Sequence, residues 1–213
     1  MPNIIDLSYF QQANPLNIPL SVQMIVANPT LETPNSANAL TELITKVEKS
    51  VLLNALGLAT YNELQLAIAD EFTNPLYAKY KKLVEGEEYD GKIWQGLNYE
   101  YSLIACKIYE TFLFDTNRQL TGIGNVEVKP QGATMVTPAY KLANANANFI
   151  QQYQGGYMRF PIIYNDGQFI DWFGQNESIE VSLYRYLTDK KADFTNVNLE
   201  TFRVYESINS FGV

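Results

Sequence analysis

The sequence predicts a mainly α protein: a helical bundle of four to five helices with a long β-containing loop and extended terminal arms. Three observations carry this reading. Ile93, Leu97, Tyr101, Ile104, Ile108 and Phe112 recur at steps of three and four, the period of a helix face. Trp94, Ala105, Tyr109 and Leu113 widen that stripe, which makes this helix the central one of a bundle. The period then stops. Asp115–Thr137 contains Gly122, Gly124 and Gly132 and a short alternating run around Val126 and Val128. Connections longer than about 12–15 residues are uncommon in compact domains and tend to be functional.

Taken in order, residues 1–33 read as an extended N-terminal arm. Pro2, Pro15, Pro19 and Pro29 break any helix, while Val22, Met24 and Val26 alternate like a short strand. The helical body spans 34–156, with the loop 115–137 projecting from it. Thr33 and Pro34 mark a helix start, and Leu40, Leu43, Ile44, Val47, Val51 and Leu52 line one side of that helix. Glu42 and Lys46 sit four apart on its wet side, and Gly57 is the natural stop. Thr60 and Glu63 form a capping-box pattern for a second helix through Leu64, Leu66, Ala67 and Ile68. Asn74 and Pro75 open a third, with Tyr77, Tyr80 and Leu83, and the acidic segment Gly86–Gly91 turns the chain into the long aromatic helix. Thr137 and Pro138 begin a fifth helix, closed by Gly155 and Gly156. Residues 157–213 form an aromatic region and a tail. Asn165, Asp166 and Gly167 signal a hairpin between two aromatic runs. Ile179, Leu183 and Leu187 indicate a last helix, and Asn196–Val213 alternates loosely as an extended, sticky end.

Composition narrows the function. A chain of 213 residues can bury roughly 70% of its unfolded surface. The net charge of −8 lacks the basic footprint of a general nucleic-acid or anionic-membrane binder. It does not forbid a passage through which DNA slides, since such a lumen should not grip phosphates. The opening segment has no basic stretch leading into an apolar run, and Glu100, Lys107 and Glu110 interrupt the long helix, so the expectation is a soluble, non-secreted protein with no membrane partner. Cys106 is the single cysteine, set among apolar neighbours, and reads as a buried thiol. The chain carries 26 Tyr and Phe residues, 20 Asn and 12 Gln, a mixture suited to large, partly dry contact surfaces.

Catalytic signatures are missing. With no histidine there is no Ser–His or Cys–His device, no imidazole acid/base and little means of holding zinc, so neither a catalytic residue nor a cofactor or metal site is assigned. The 23 acids leave a carboxylate-pair hydrolase open, without selecting a pair. Gly86–Lys92 matches the first seven positions of a phosphate-binding loop but puts Ile93 where the magnesium-binding hydroxyl belongs, and its interior is acidic. Glu85, Glu87, Glu88 and Asp90 read as solvated turn charges, with Lys79, Lys81 and Lys82 beside them as an internal ion-pair surface.

The order of parts resembles a known family. LGLATYNEL (Leu56–Leu64), KIWQGLNYEYSLIACKIYETFLF (Lys92–Phe114) and TGIGNVEVK (Thr121–Lys129) are similar to head–tail connector proteins of tailed bacteriophages, in particular the adaptor-type ring proteins of crAss-like phages, over residues 36–153. The resemblance implies a non-enzymatic virion protein of the neck or tail, assembled in the host cytoplasm into a ring of about twelve copies. Such a ring docks beneath the portal protein, meets neighbouring connector and tail rings, and extends the channel through which genomic DNA passes without sequence-specific binding. On this reading Gly122, Gly124, Val126 and Val128 of the loop, and Phe202, Val204, Tyr205, Ile208 and Phe211 of the tail, make the partner contacts. The N-terminal arm and the aromatic region 157–187 depart from a minimal adaptor. Two other classes stay open: a carboxylate-dependent phage hydrolase using acids of the 85–90 cluster, and a soluble host-side helical binding module.

Overall fold

A computed structural model describes residues 3–11, 14–18, 35–116, 119–121, 124–126, 139–155, 158–161, 169–172 and 179–205. Among these the chain is mainly helical, with five α-helices: α1 Asn35–Ala69, α2 Ala78–Glu85, α3 Leu103–Thr116, α4 Ala139–Gln154 and α5 Leu183–Asp189. Three two-stranded antiparallel hairpins accompany them: β1 Glu87–Tyr89 with β2 Lys92–Trp94, β3 Gln119–Thr121 with β4 Gly124–Val126, and β5 Met158–Pro161 with β6 Phe169–Trp172.

Gly57 does interrupt the first helix, at φ 74° and ψ 168°. The helix resumes at once, however, and not at Thr60. Tyr61, Leu64 and Ala67 are drawn into the core on the same side as Leu52 and Leu56, which sets where the second half restarts. The capping box is therefore not made: the Thr60 hydroxyl is buried without a hydrogen-bond partner, and the Glu63 carboxylate accepts from the Tyr80 hydroxyl instead. Asn74 behaves as expected, its side chain accepting from the Leu76 N–H at 3.0 Å to open the turn Pro75–Tyr77 that runs into α2.

The largest departure lies between 86 and 102. The long aromatic helix does not begin near Ile93, because Lys92–Trp94 is a strand paired in register with Glu87–Tyr89. Asp90 and Gly91 both have positive φ, 47° and 73°, the two-residue turn that matches strand twist. Ile93 also donates to the Ile179 carbonyl at 2.8 Å and accepts from the Val181 N–H at 3.0 Å, so residues 179–181 extend this hairpin. Past it the chain runs hard against the end of α2, and a Cβ on Gly96 would lie 2.5 Å from the Val84 carbonyl oxygen. Only a glycine at φ 92° fits there. The helix starts at Leu103, where the Ser102 hydroxyl accepts from the Ala105 N–H at 3.3 Å.

From that point the expectation of a central helix holds. Leu103, Ile104, Ala105, Cys106, Ile108 and Tyr109 of α3 are all buried. Helix α4 contributes Ala145, Phe149 and Tyr153 to the same core and ends at Gly155, φ 71°. The hairpin expected around 165–167 is present as β5 and β6, with Met158 opposite Trp172 and Pro161 opposite Phe169, while its turn lies outside the described residues. Helix α5 starts at Leu183 rather than Ile179, with the buried Ser182 hydroxyl accepting from the Arg185 N–H.

Both arms need correction where they are described. Residues 3–11 and 14–18 are no projecting extension: Ile5, Phe10, Leu16 and Ile18 are core residues. The alternation at Val22, Met24 and Val26, like Thr33 and Pro34, lies outside the described residues. The tail folds back too, through a turn at Leu199–Thr201 that delivers Phe202 into the core. Among the described residues no helix is long and apolar enough to cross a membrane.

Candidate functional site

The residues expected to meet partners fall into three groups. Gly124 and Val126 belong to β4, opposite Thr121 and Gln119 of β3. Gly122, Val128, Ile208 and Phe211 lie outside the described residues. Phe202 and Tyr205 pack against the chain itself, so these two do not stand on a free extension. The Phe202 ring, 7% exposed, packs 4.6 Å from Tyr153 and 5.1 Å from Tyr184. Tyr205 stands edge-on to Phe149 and Tyr153. Its N–H donates to the Gln154 side chain and its carbonyl accepts from the same amide, both at 2.9 Å. Its hydroxyl accepts from the Asn54 amide, and Val204 between them is half-buried. An aromatic cluster with a matched backbone pair is a closed internal joint, because its apolar surface is already removed from water.

A second joint ties α5 to the β1–β2 hairpin. The Glu87 carboxylate receives Lys82 and Lys190 at 3.0 Å each and the Tyr186 hydroxyl at 2.9 Å. Burial works to raise this carboxyl, but those three hydrogen bonds and the Lys190 charge hold it below the usual carboxylate range. Asp189 is treated alike. Burial opposes its charge, while Lys92, Arg185 and Tyr89 hold its carboxyl low. The expected ion-pair surface of Lys79, Lys81 and Lys82 is thus real, with Lys79 on Glu63 and Lys81 on Glu85 completing it. Gly86–Lys92 is a strand, a tight turn and a second strand, with Glu87 neutralised by lysines rather than turned toward a phosphate. Among the described residues no group of His, Cys, Asp or Glu side chains is arranged to share a metal ion.

A third feature escaped the sequence reading. Glu48 of α1 is only 2% exposed. Its carboxylate accepts the Ile4 N–H on both oxygens and the Ile5 N–H on one, all at 3.0 Å. Burial pushes its carboxyl up to about 6 from 4.5, against the two backbone donors that pull it down. Burial raises the phenols of Tyr9 and Tyr61, and the Glu48 charge adds to that. The signal was legible, since Glu48 lies between Ile44 and Leu52 at helical spacing, a carboxylate inside an apolar stripe. Cys106 is fully buried as expected, and burial, then the Glu110 charge, pushes its thiol up to about 12. That is the opposite of what a nucleophilic thiolate needs.

The outer surface carries large apolar side chains that nothing within the described residues covers: Leu58, Leu66, Leu76, Tyr140 and Ile179 are each more than half exposed. Leu58, Asn62 and Leu66 succeed one another at steps of four along α1, so they share a ridge. A shallow cleft of about 260 Å³ opens between Tyr99, Tyr101, Asn148, Gln152 and Glu180. Its polar groups mostly satisfy each other, with Asn148 donating to the Tyr101 hydroxyl and Gln95 to Glu180. Comparison of the chain with protein-family models, with curated proteins and with solved structures finds no match.

Proposed function

We propose that this chain is a structural protein of a phage neck or tail, an adaptor-type ring subunit that docks to the portal and carries the DNA channel toward the tail. The observation that carries the reading is the pair of hairpins β3–β4 and β5–β6. Each is a two-stranded sheet with no third strand among the described residues. A two-stranded ribbon is marginal alone in water, and its free edges bond readily to another chain. The helical body holds one ribbon between α3 and α4 and the other between α4 and α5, an arrangement suited to reaching neighbours from a fixed scaffold. Exposed Leu58, Leu66 and Leu76 add apolar area for subunit contacts. The contact set on this reading is Gly122, Gly124, Val126 and Val128 with Ile208 and Phe211, while Phe202, Val204 and Tyr205 anchor the tail's base.

For the hydrolase alternative, Glu87 of the 85–90 cluster is poorly suited to serve as a general acid. A general acid must hold a proton near neutral pH, and Glu87 is kept ionised by two lysines.

Electron microscopy of the protein mixed with the portal ring from the same source, with mass photometry alongside, tests the proposal. The expected result is a new ring stacked on the portal, with hairpin density at the joint. A protein that stays monomeric and forms no ring on the portal overturns it. Removal of residues 206–213 should weaken docking at least tenfold, on the order of the loss of one or two buried apolar anchors, while the helical circular-dichroism signal is unchanged. Undiminished docking would remove Ile208 and Phe211 from the contact set.

A further inference from the structure

Residues 3–11 and 14–18 form a small unit of their own, laid on the helical body and called the 3–18 strap. Asp6 accepts from the Ser8 N–H at 2.8 Å, Asn14 from the Leu16 N–H at 2.9 Å, and the Ile18 N–H returns to the Phe10 carbonyl at 3.1 Å. The strap is therefore shaped largely by its own hydrogen bonds. It is seated by four apolar anchors, Ile5, Phe10, Leu16 and Ile18, and by polar fastenings at three points. These are the Glu48 carboxylate on the Ile4 and Ile5 N–H groups, the Asn3 amide on the Thr45 hydroxyl at 2.9 Å, and the Tyr9 hydroxyl on the Asn98 carbonyl at 2.6 Å.

We infer that the seat around Glu48 is an interface between copies of this chain, which takes the 3–18 strap of a neighbouring subunit. Two physical facts point there. The seat recognises main-chain N–H groups and four apolar side chains, all supplied by the strap alone, so the strap of any copy fits it equally well. The chain that joins strap to body, residues 19–34, is 16 residues long and spans at most about 55 Å. A domain of this size has a radius of gyration of roughly 17 Å and a diameter of roughly 45 Å, so the link reaches an adjacent body. Exchange preserves every fastening, and the balance between own and neighbour's seat is then set by local concentration.

Glu48 is buried, and the hydrogen bonds its carboxylate accepts come from the Ile4 and Ile5 N–H groups of the strap. A groove of about 550 Å³ runs along the same seam, bordered by Asn3, Asp6, Gln11, Thr41 and Ile44, so water reaches the edge of the strap. A ring would favour the exchange by holding neighbouring seats at high effective concentration, but the exchange does not require one and occurs between free copies at high protein concentration.

The test needs no portal. Asn3→Cys and Thr45→Cys are made on separate chains, the two proteins are mixed at high concentration, and a short bis-maleimide is added. The native Cys106 is fully buried and should stay unlabelled. A mixed covalent dimer is expected in excess over either variant alone and over a distant control pair, Asn3→Cys with Lys191→Cys, by roughly tenfold or more, as effective concentrations at a seated pair are millimolar. The double variant in one chain supplies the intrachain reference. Intrachain closure there, with no excess of mixed dimer, overturns the exchange. Failure of the ring on the portal is read separately by microscopy and would strike the ring proposal, not this result.

Discussion

Glu48 is the residue whose charge state matters most to this fold. Its carboxyl sits at about 6 when buried, against 4.5 for the free side chain. The folded protein therefore holds that proton more tightly than the unfolded chain. The associated stability is fully present below about pH 4.5 and is lost as pH rises through 6. The difference between 4.5 and about 6 corresponds to about 2 kcal/mol. Glu48→Gln keeps an acceptor oxygen and loses the titration. Denaturant melts of both proteins between pH 4.5 and 7 should show the variant gaining on the wild type by about 2 kcal/mol across that window. A constant difference would mean that Glu48 is not buried as a charge. Glu48 was readable in advance as a carboxylate at helical spacing between Ile44 and Leu52, but its partners were not. Ile4 and Ile5 are more than forty residues away, and no periodicity reports a pairing at that range.

At the scale of elements, the β1–β2 hairpin is the place where local pattern misled. Ile93, Leu97 and Tyr101 carry a helical period onto a segment that is strand, link and turn. Leu97 is buried all the same, so the spacing marked inward-facing residues correctly while misreading their backbone. Asp90–Gly91 and Gly96 were the contrary signals, two short-range backbone demands that outweigh a period of six residues. Gly96→Ala puts a Cβ against the Val84 carbonyl at a φ that alanine rarely adopts. It should destabilise the protein by about 2–3 kcal/mol, measured by thermal or urea unfolding, whereas Gly57→Ala, with open space around its Cβ, should cost only about 1 kcal/mol from φ alone. Equal effects would remove the close approach as the reason for Gly96. The Glu87 joint belongs to this scale as well. Tyr186→Phe removes one of three donors and should cost about 1 kcal/mol, because two lysines still neutralise the carboxylate.

Across the whole molecule, both ends of the described chain close the core instead of leaving it. Phe202 sits between Tyr153 of α4 and Tyr184 of α5, and Tyr205 lies over Phe149 with the Lys107 ammonium 5.3 Å from its ring. Phe202→Ala should therefore destabilise the monomer by about 3 kcal/mol or more in chemical denaturation, a core effect rather than a docking effect. A chain ending at 201 should lose stability and helical signal together, while one ending at 205 should not. If Phe202→Ala leaves stability intact and weakens only portal docking, the tail serves partners after all.

Composition and periodicity alone determined that this is a mainly helical chain with a buried central helix, a hairpin near 158–172 and a buried Cys106. Each of those comes from residues within a turn or two of one another, where spacing and side-chain type govern the outcome. Only the tertiary structure decided that the two apparent arms pack down, that Glu48 fastens the strap, and that Glu87 and Asp189 lock α5 to a hairpin. Those contacts join residues forty to a hundred positions apart, and they depend on which apolar surfaces find each other when the chain collapses.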